Sequence, residues 1–209
     1  MQRRQQSSEK RCGIILLIRS TRLFQLRNFY DYSVPRNTID LIIQLVTGLK
    51  IIWVKHVVHR DLKPDNILIL PSGETKIIDL GIARLLDMES ITRTLAMRGP
   101  CTPIYAAPEQ LSNRKTEITV RTDQFNLGIL MLQLLLRGQH PFDPTVVGSG
   151  VSTVENILRD NWARVKLNVP DLLPLRPVLL RLLGHEPYQR YRNDELLLED
   201  LHKALEAYK

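Results

Sequence analysis

Cysteine is scarce in this chain of 209 residues, which has only Cys12 and Cys101. Two cysteines so far apart give no disulfide framework, and no close pair of Cys or His suggests a zinc site. No apolar run reaches the ~18 residues that a membrane helix needs, and no internal repeat is visible. The sequence therefore predicts a soluble protein without a transmembrane segment, in a reducing, cytoplasmic compartment.

The composition is that of a folded protein with an excess of basic residues. Apolar residues make up 44% of the chain, which is ample for a packed core. The length suits one large domain or two small ones. Lys and Arg number 29 against 22 Asp and Glu, a net charge of +7. This charge favours anionic partners such as ATP, acidic peptides, nucleic acid or a membrane surface without choosing among them.

The most specific pattern is the run His-Arg-Asp-Leu-Lys-Pro-Asp-Asn at residues 59–66. Asp61 can accept the proton of an attacking hydroxyl, and Lys63 can neutralise charge on a phosphoryl group in transfer. Asn66 can offer an oxygen to Mg²⁺, a hard cation that prefers oxygen ligands. These groups, at this spacing in one loop, suit phosphoryl transfer.

The run at 59–66 strongly resembles the catalytic loop of eukaryotic-type protein kinases. Residues 79–81, Asp-Leu-Gly, are similar to the family's metal-binding Asp-Phe-Gly, with Leu in place of Phe. Residues 107–109, Ala-Pro-Glu, resemble the end of the activation segment, and residues 101–105 before them resemble its Gly-Thr-Pro-x-Tyr. Three motifs in the family's order favour a Ser/Thr protein kinase domain.

The resemblance implies ATP and Mg²⁺ as cofactors and a protein with a Ser or Thr acceptor as substrate. The catalytic residues implied are Asp61 as the base, Lys63 as the electrostatic stabiliser, and Thr102, whose hydroxyl would bridge the two. The cofactor-binding residues implied are Lys63, Asp65, Asn66, Leu68 and Asp79. The metal ligands among them would be Asn66 and Asp79.

Two buried polar contacts are also implied by the resemblance. Asp123 and Gly128 fall where kinases carry Asp-x-Trp-x-x-Gly, with Phe125 in place of the Trp. Asp123 is therefore expected to accept hydrogen bonds from the backbone of the catalytic loop. Arg190 matches the buried arginine that pairs with the glutamate of Ala-Pro-Glu, here Glu109.

The predicted fold class is α+β and predominantly α-helical, a protein kinase-like large lobe with a small β-hairpin around the catalytic loop. Apolar residues at three- and four-residue steps predict a core helix from Ile39 to Trp53. Apolar runs on both sides of a Pro/Gly turn predict the hairpin over residues 67–78.

Four further helices are predicted after the Ala-Pro-Glu motif. Residues 122–137 are apolar almost all round, which indicates a helix buried on every side. A capping box at residues 152–155 predicts an amphipathic helix that reaches about Trp162. Apolar runs at 178–183 and 196–205 predict two closing helices.

The segment between the second and third motifs is polar and predicted to be mobile. It contains three candidate phosphorylation sites, because Arg60 beside Asp61 could pair with an added phosphate and order the segment. These sites are Ser90, Thr92 and Thr94.

The predicted domain boundaries leave little room for a kinase small lobe. Residues 1–12 are predicted to be a disordered basic tail. Residues 13–35 would be a remnant of the last small-lobe strand (13–18), the hinge and the first large-lobe helix (21–32). The large lobe is assigned to residues 36–205. No Gly-x-Gly-x-x-Gly loop and no Val-Ala-x-Lys lysine precedes it, so we expect a truncated kinase.

Three functions remain open at this point. The first is a Ser/Thr protein kinase, either a fragment or one whose small lobe another protein supplies. The second is a catalytically silent pseudokinase that binds a protein partner as a scaffold, which the missing small lobe favours and the intact acids of the motifs disfavour. The third is a basic nucleic-acid or membrane-binding module, but no aromatic-basic platform supports it, and no specific nucleic acid is expected.

Overall fold

The computed structural model describes residues 24–25, 32–79, 84–85, 102–168 and 170–208. This part contains seven α-helices: α1 (Pro35–Trp53), α2 (Pro108–Leu111), α3 (Val120–Leu135), α4 (Pro144–Val147), α5 (Thr153–Leu158), α6 (Arg176–Leu182) and α7 (Asp194–Glu206). It contains five short strands: β1 (Phe24–Gln25), β2 (Val57–Val58), β3 (Ile67–Ile69), β4 (Thr75–Ile77) and β5 (Arg84–Leu85). The predicted α+β, mainly helical class is confirmed.

Helix α3 is the centre of the core, and every residue from Thr122 to Leu135 is buried. From Leu127 to Leu135 only Gln133 is polar, so no face of this part could be left in water without cost. In the first half, Thr122, Asp123 and Asn126 are buried with hydrogen-bond partners. Gly128 lets α6 approach closely, since a Cβ there would lie 2.9 Å from Cβ of Leu182. The helix begins and ends two residues earlier than predicted, and Arg137 beyond it has a left-handed φ of 54°.

Helix α1 packs against α3 and α7 and leads the chain into the catalytic loop. It begins at Pro35, four residues before the predicted start, because proline at the first helical position has its φ already set and lacks only an N–H that would be unpaired there. Its buried face runs from Thr38 to Trp53. Lys50 ties its last turn to the start of α7 through Asp194, at 2.7 Å.

The predicted hairpin is confirmed as strands β3 and β4, paired antiparallel with Ile67 opposite Ile77. Gly73 in its turn has a φ of 84°, a conformation that costs glycine little. The strand order is β1-β3-β4, so β3 is the central strand. Strands β2 and β5 form a separate antiparallel pair.

The predicted helix over 21–32 is wrong at Phe24–Gln25, which form β1 and pair with β3. The free edge of β3 offers backbone donors and acceptors that a strand there satisfies, and this long-range pairing outweighs local helical preference. The remaining predictions for residues 1–23, and residues 26–31 of that helix, lie outside the described residues.

Ser152 caps α5 as predicted, since its Oγ accepts from the Glu155 amide at 3.2 Å. The return bond of a capping box does not form, because the Glu155 carboxylate accepts from Nε of Arg159 at 2.8 Å instead. The prediction that this helix reaches Trp162 is wrong, because it ends at Leu158. Asp160 adopts a left-handed φ of 54°, and the Asn161 amide donates back to the Asn156 carbonyl at 2.8 Å. These are the marks of a Schellman turn, which stops a helix by capping its last carbonyls.

The two closing helices are confirmed as α6 and α7, each starting two residues earlier than predicted. The side chain of Asn193 caps α7 by accepting from the Leu196 amide at 3.1 Å. Within the described ranges, no helix combines the length and the apolar character needed to cross a membrane.

Candidate active site

The catalytic loop at residues 59–66 is anchored on Asp123, a fully buried carboxylate in the first turn of α3. Its Oδ2 accepts from the His59 amide at 2.9 Å and its Oδ1 from the Arg60 amide at 2.8 Å. The contact predicted for Asp123 is therefore confirmed. Trp53 adds a donor through Nε1 at 2.8 Å. Burial raises the pKa of Asp123, and these N–H donors act in the opposite direction.

His59 joins the catalytic loop to the end of the hairpin. It is buried, and its Nδ1 accepts from the Asp61 amide at 3.4 Å. Its Nε2 lies 3.3 Å from the Ile78 carbonyl. Because the Asp61 amide can only donate, Nδ1 is the acceptor, and Nε2 is the nitrogen that lies within reach of the Ile78 carbonyl. This contact fixes the residue directly before Asp79.

Asp61, Lys63 and Thr102 form one cluster. Nζ of Lys63 lies 2.7 Å from Oδ2 of Asp61 and 2.5 Å from Oγ1 of Thr102. The Thr102 amide donates to the other carboxylate oxygen, Oδ1, at 2.9 Å. Partial burial tends to raise the pKa of Asp61, but the hydrogen bonds from Lys63 and Thr102 outweigh it and hold the pKa below its ordinary value. The acid is therefore ionised and oriented at neutral pH.

Asn66 and Asp79, the two predicted metal ligands, lie at the two ends of the hairpin, Asn66 directly before β3 and Asp79 two residues after β4. Nδ2 of Asn66 donates to the Asp61 carbonyl at 2.8 Å and to its Oδ2 at 3.2 Å, so the amide oxygen is left as the acceptor. The Ile78 amide donates to the Asn66 carbonyl at 2.9 Å, which places Asp79 one residue beyond this contact. Asp79 is exposed and has a left-handed φ of 64°.

These two side chains supply an amide oxygen and a carboxylate oxygen, the hard ligands that suit Mg²⁺. Across the described residues, no group of three or more His, Cys, Asp or Glu could hold a metal ion. A softer metal that needs several nitrogen or sulfur ligands therefore has no cluster in that part of the chain. The residues present fit a magnesium ion that takes its other ligands from phosphate and water.

The other residues predicted to bind the cofactor lie close to this cluster in the chain. Asp65 is half-buried in the 3₁₀ turn Pro64–Asn66. Leu68 lies in β3 with 8% of its surface exposed, paired with Gln25 on one side and Lys76 on the other. Their part in binding stays a prediction. Residues 80, 81 and 101 and the three candidate phosphorylation sites lie outside the described residues.

Comparison with known proteins identifies the family. Residues 6–200 match the protein kinase domain. The chain belongs to this family. It is 30% identical over 187 residues to the probable serine/threonine-protein kinase PknB of Lactococcus lactis, covering 84% of this chain and 27% of that protein.

Two further relatives are similar. The serine/threonine-protein kinase PrkC of Bacillus subtilis is 31% identical over 83% of this chain and 26% of its own length. The serine/threonine-protein kinase PknA of Mycobacterium tuberculosis is 33% identical over 76% of this chain and 34% of its own length. The chain therefore spans about a quarter to a third of the length of the curated kinases it matches.

The predicted pair of Glu109 and Arg190 holds the segment after the catalytic cluster against the core of the kinase domain. Two hydrogen bonds of 2.7 and 2.9 Å join the guanidinium to the carboxylate, and both side chains are 0% exposed. Carbonyls of Gly184, His185 and Arg121 accept the remaining N–H groups of Arg190. Thr122 donates to Glu109 at 2.8 Å. Both charges are therefore paired and the prediction is confirmed.

The sequence did not predict three side-chain hydrogen bonds in and around this kinase site. Trp53 reaches Asp123, Gln133 accepts from the hydroxyl of Tyr105 at 2.9 Å, and Gln110 reaches the Arg60 carbonyl at 2.9 Å. Only Gln110 carried a usable signal, because it lies three residues after Ala107 at the start of a helix, a capping position. Trp53 and Gln133 sit in apolar helices, where each looked like an ordinary core residue.

Proposed function

We propose that this chain is the catalytic large lobe of a serine/threonine protein kinase, which transfers the γ-phosphoryl group of ATP to a Ser or Thr hydroxyl of a protein. The observation that carries the proposal is the cluster of Asp61, Lys63 and Thr102, in which an ionised acid is held by a lysine at 2.7 Å and a backbone amide at 2.9 Å. Phosphoryl transfer is catalysed mainly by such positioning and charge stabilisation. The similarity to proteins named serine/threonine kinases supports the same activity.

In this proposal each residue of the cluster has a separate task. Asp61 orients the acceptor hydroxyl and takes its proton, and Lys63 stabilises negative charge on the transferring group. Thr102 fixes the Lys63 ammonium and the Asp61 carboxylate relative to each other. Asn66 and Asp79 would hold Mg²⁺, which when bound neutralises charge on the ATP phosphates. Asp65 and Leu68 would complete the nucleotide side of the site.

A catalytically silent scaffold is the second candidate, and the intact site disfavours it. A scaffold would not need an ionised acid held beside a lysine at 2.7 Å. A protein partner that supplies or replaces the small lobe, and a cytoplasmic location, stay predictions of the sequence.

The proposal is tested by incubating the purified chain with Mg²⁺, γ-labelled ATP and casein as a general acceptor. We expect phosphoserine or phosphothreonine in the product, and Asp61→Asn should lower the rate by roughly 10²-fold or more because the base is lost. Asp171→Asn, at an exposed site in the 3₁₀ turn Pro170–Leu175, is the matched control. An absence of transfer by the unchanged chain, or transfer that survives Asp61→Asn, contradicts the proposal.

A further inference from the structure

The side chain of Gln110 in α2 makes two backbone contacts that join separate parts of the site. Its Oε1 accepts from the Ala107 amide at 2.9 Å, the ordinary bond that caps a helix start. Its Nε2 continues to the catalytic loop and donates to the Arg60 carbonyl at 2.9 Å. The second contact is not needed for capping, so it requires another explanation.

The Arg60 carbonyl belongs to the peptide group directly before Asp61. Arg60 has a left-handed φ of 74°, which is uncommon for a residue with a side chain and must be held by its surroundings. Asp123 holds the amide of Arg60 at 2.8 Å, and His59 accepts from the amide of Asp61 at 3.4 Å. Gln110 supplies the donor for the carbonyl between these two amides.

The same side chain closes a ring of contacts around the catalytic acid. Thr102 binds the Asp61 carboxylate through its amide at 2.9 Å, and five residues later Ala107 binds Gln110. Gln110 in turn holds the carbonyl of Arg60, which leads back to Asp61. The segment 102–107 is therefore tied to the catalytic loop at both of its ends.

We propose that Gln110 is a positioning residue for Asp61: its Nε2 donor fixes the peptide from which the carboxylate projects and couples that peptide to segment 102–107. The inference rests on the proposed function and names a further residue for it. The donor is the essential feature. A glutamate at this position could still cap Ala107, but when ionised it would turn a second acceptor toward the Arg60 carbonyl.

The first test compares Gln110→Met with Gln189→Met. Gln189 makes the same capping bond, since its Oε1 accepts from the Glu186 amide at 2.9 Å, but it is exposed and lies in the 3₁₀ turn Pro187–Gln189. We expect Gln110→Met to speed amide hydrogen exchange of Arg60 and Asp61 by about tenfold or more. It should lower kcat by roughly 10-fold to 100-fold, with KM for ATP within about twofold. Gln189→Met should change neither these exchange rates nor kcat.

The second test uses pH on Gln110→Glu. A protonated carboxyl can donate to the Arg60 carbonyl and an ionised one cannot, so the ratio of the variant's kcat to that of the unchanged chain should rise as pH falls from about 8 to about 5.5. A purely structural defect would leave this ratio flat. This variant also keeps the capping bond, so it serves if Gln110→Met does not fold.

The outcomes separate this inference from the proposed function. Equal amide exchange rates at Arg60 and Asp61 in Gln110→Met and Gln189→Met would overturn the inference about Gln110. It would also be overturned if the kcat of Gln110→Glu, relative to that of the unchanged chain, did not vary with pH. If the unchanged chain transfers no phosphate, the proposed function fails. The exchange measurement then still decides whether Gln110 holds the loop.

Discussion

The indole nitrogen of Trp53 donates a 2.8 Å hydrogen bond to Oδ2 of Asp123, although the two residues lie 70 positions apart in the chain. Trp53 ends α1 and Asp123 lies in the first turn of α3, so the bond joins the two main core helices. The same carboxylate holds the amides of His59 and Arg60. The catalytic loop is thus fixed to the place where these helices meet.

Asp123→Ala should therefore lower the free energy of unfolding by about 3 kcal/mol, because buried N–H donors lose their acceptor. Trp53→Phe removes one donor and leaves the loop amides bound, so its cost should be smaller, about 1–2 kcal/mol. Urea unfolding at pH 7 measures both. An unchanged midpoint for Asp123→Ala would show that the loop does not depend on this carboxylate.

Glu109 and Arg190 give a second prediction about stability. Both side chains are fully buried, so removing one leaves an unpaired charge in the core. Arg190→Met should cost about 3–5 kcal/mol, and pairing it with Glu109→Gln should recover part of that loss because no lone charge remains. Thermal or urea unfolding of the two single variants and the double variant measures this coupling.

The matched control is the exposed pair of Lys203 and Glu199 on α7, whose ions are 2.7 Å apart with side chains 65% and 56% exposed. Lys203→Met should leave the free energy of unfolding nearly unchanged, because exposed ion pairs gain little over water. A loss for Arg190→Met no larger than that for Lys203→Met would contradict the role of the buried pair.

The parts of the site that follow from the sequence are those whose partners belong to a recognisable pattern. The motifs identified Asp123 as the acceptor for the loop and Glu109 as the partner of Arg190, and both contacts are present. The apolar run over residues 127–135 of α3 was enough to show that this part of the helix is buried.

The parts that could not be predicted depend on backbone geometry or on long-range pairing. The strand at Phe24–Gln25 exists because β3 has a free edge, which a local pattern does not reveal. Helix α5 ends early because Asp160, and not a glycine, takes the left-handed turn. Gln110 could be recognised as a capping residue, but its reach to Arg60 depends on how α2 packs beside the catalytic loop.

His140 should make stability depend on pH. It is 9% exposed and its ring meets that of Tyr105 edge-on at 5.4 Å. Burial lowers its pKa from 6.5 to about 4, against the opposing effects of the Ile104 carbonyl and Asp143. Between these pH values the unfolded chain binds a proton that the folded chain does not. Stability should therefore fall as the pH drops from 6.5 toward 4, by up to about 3 kcal/mol from this residue.

His140→Asn removes the titrating group, and its side-chain oxygen can accept from the Phe142 amide as Nδ1 of His140 does. As the pH falls from 7 to 4, the unchanged chain should therefore lose stability relative to this variant, so its unfolding free energy minus that of the variant should decrease. The exposed His202→Asn is the control. A difference that stays constant across this range would show that His140 is not held neutral by burial.

The most direct test is calorimetric titration of the purified chain with Mg-ATP, with Asp79→Asn measured in parallel and Asp171→Asn as the control. If Asn66 and Asp79 form the metal side of a kinase site, nucleotide binding will require Mg²⁺, will be abolished by Asp79→Asn and will survive Asp171→Asn. Binding that is unaffected by Asp79→Asn, or no binding by the unchanged chain, would contradict the assignment of this site.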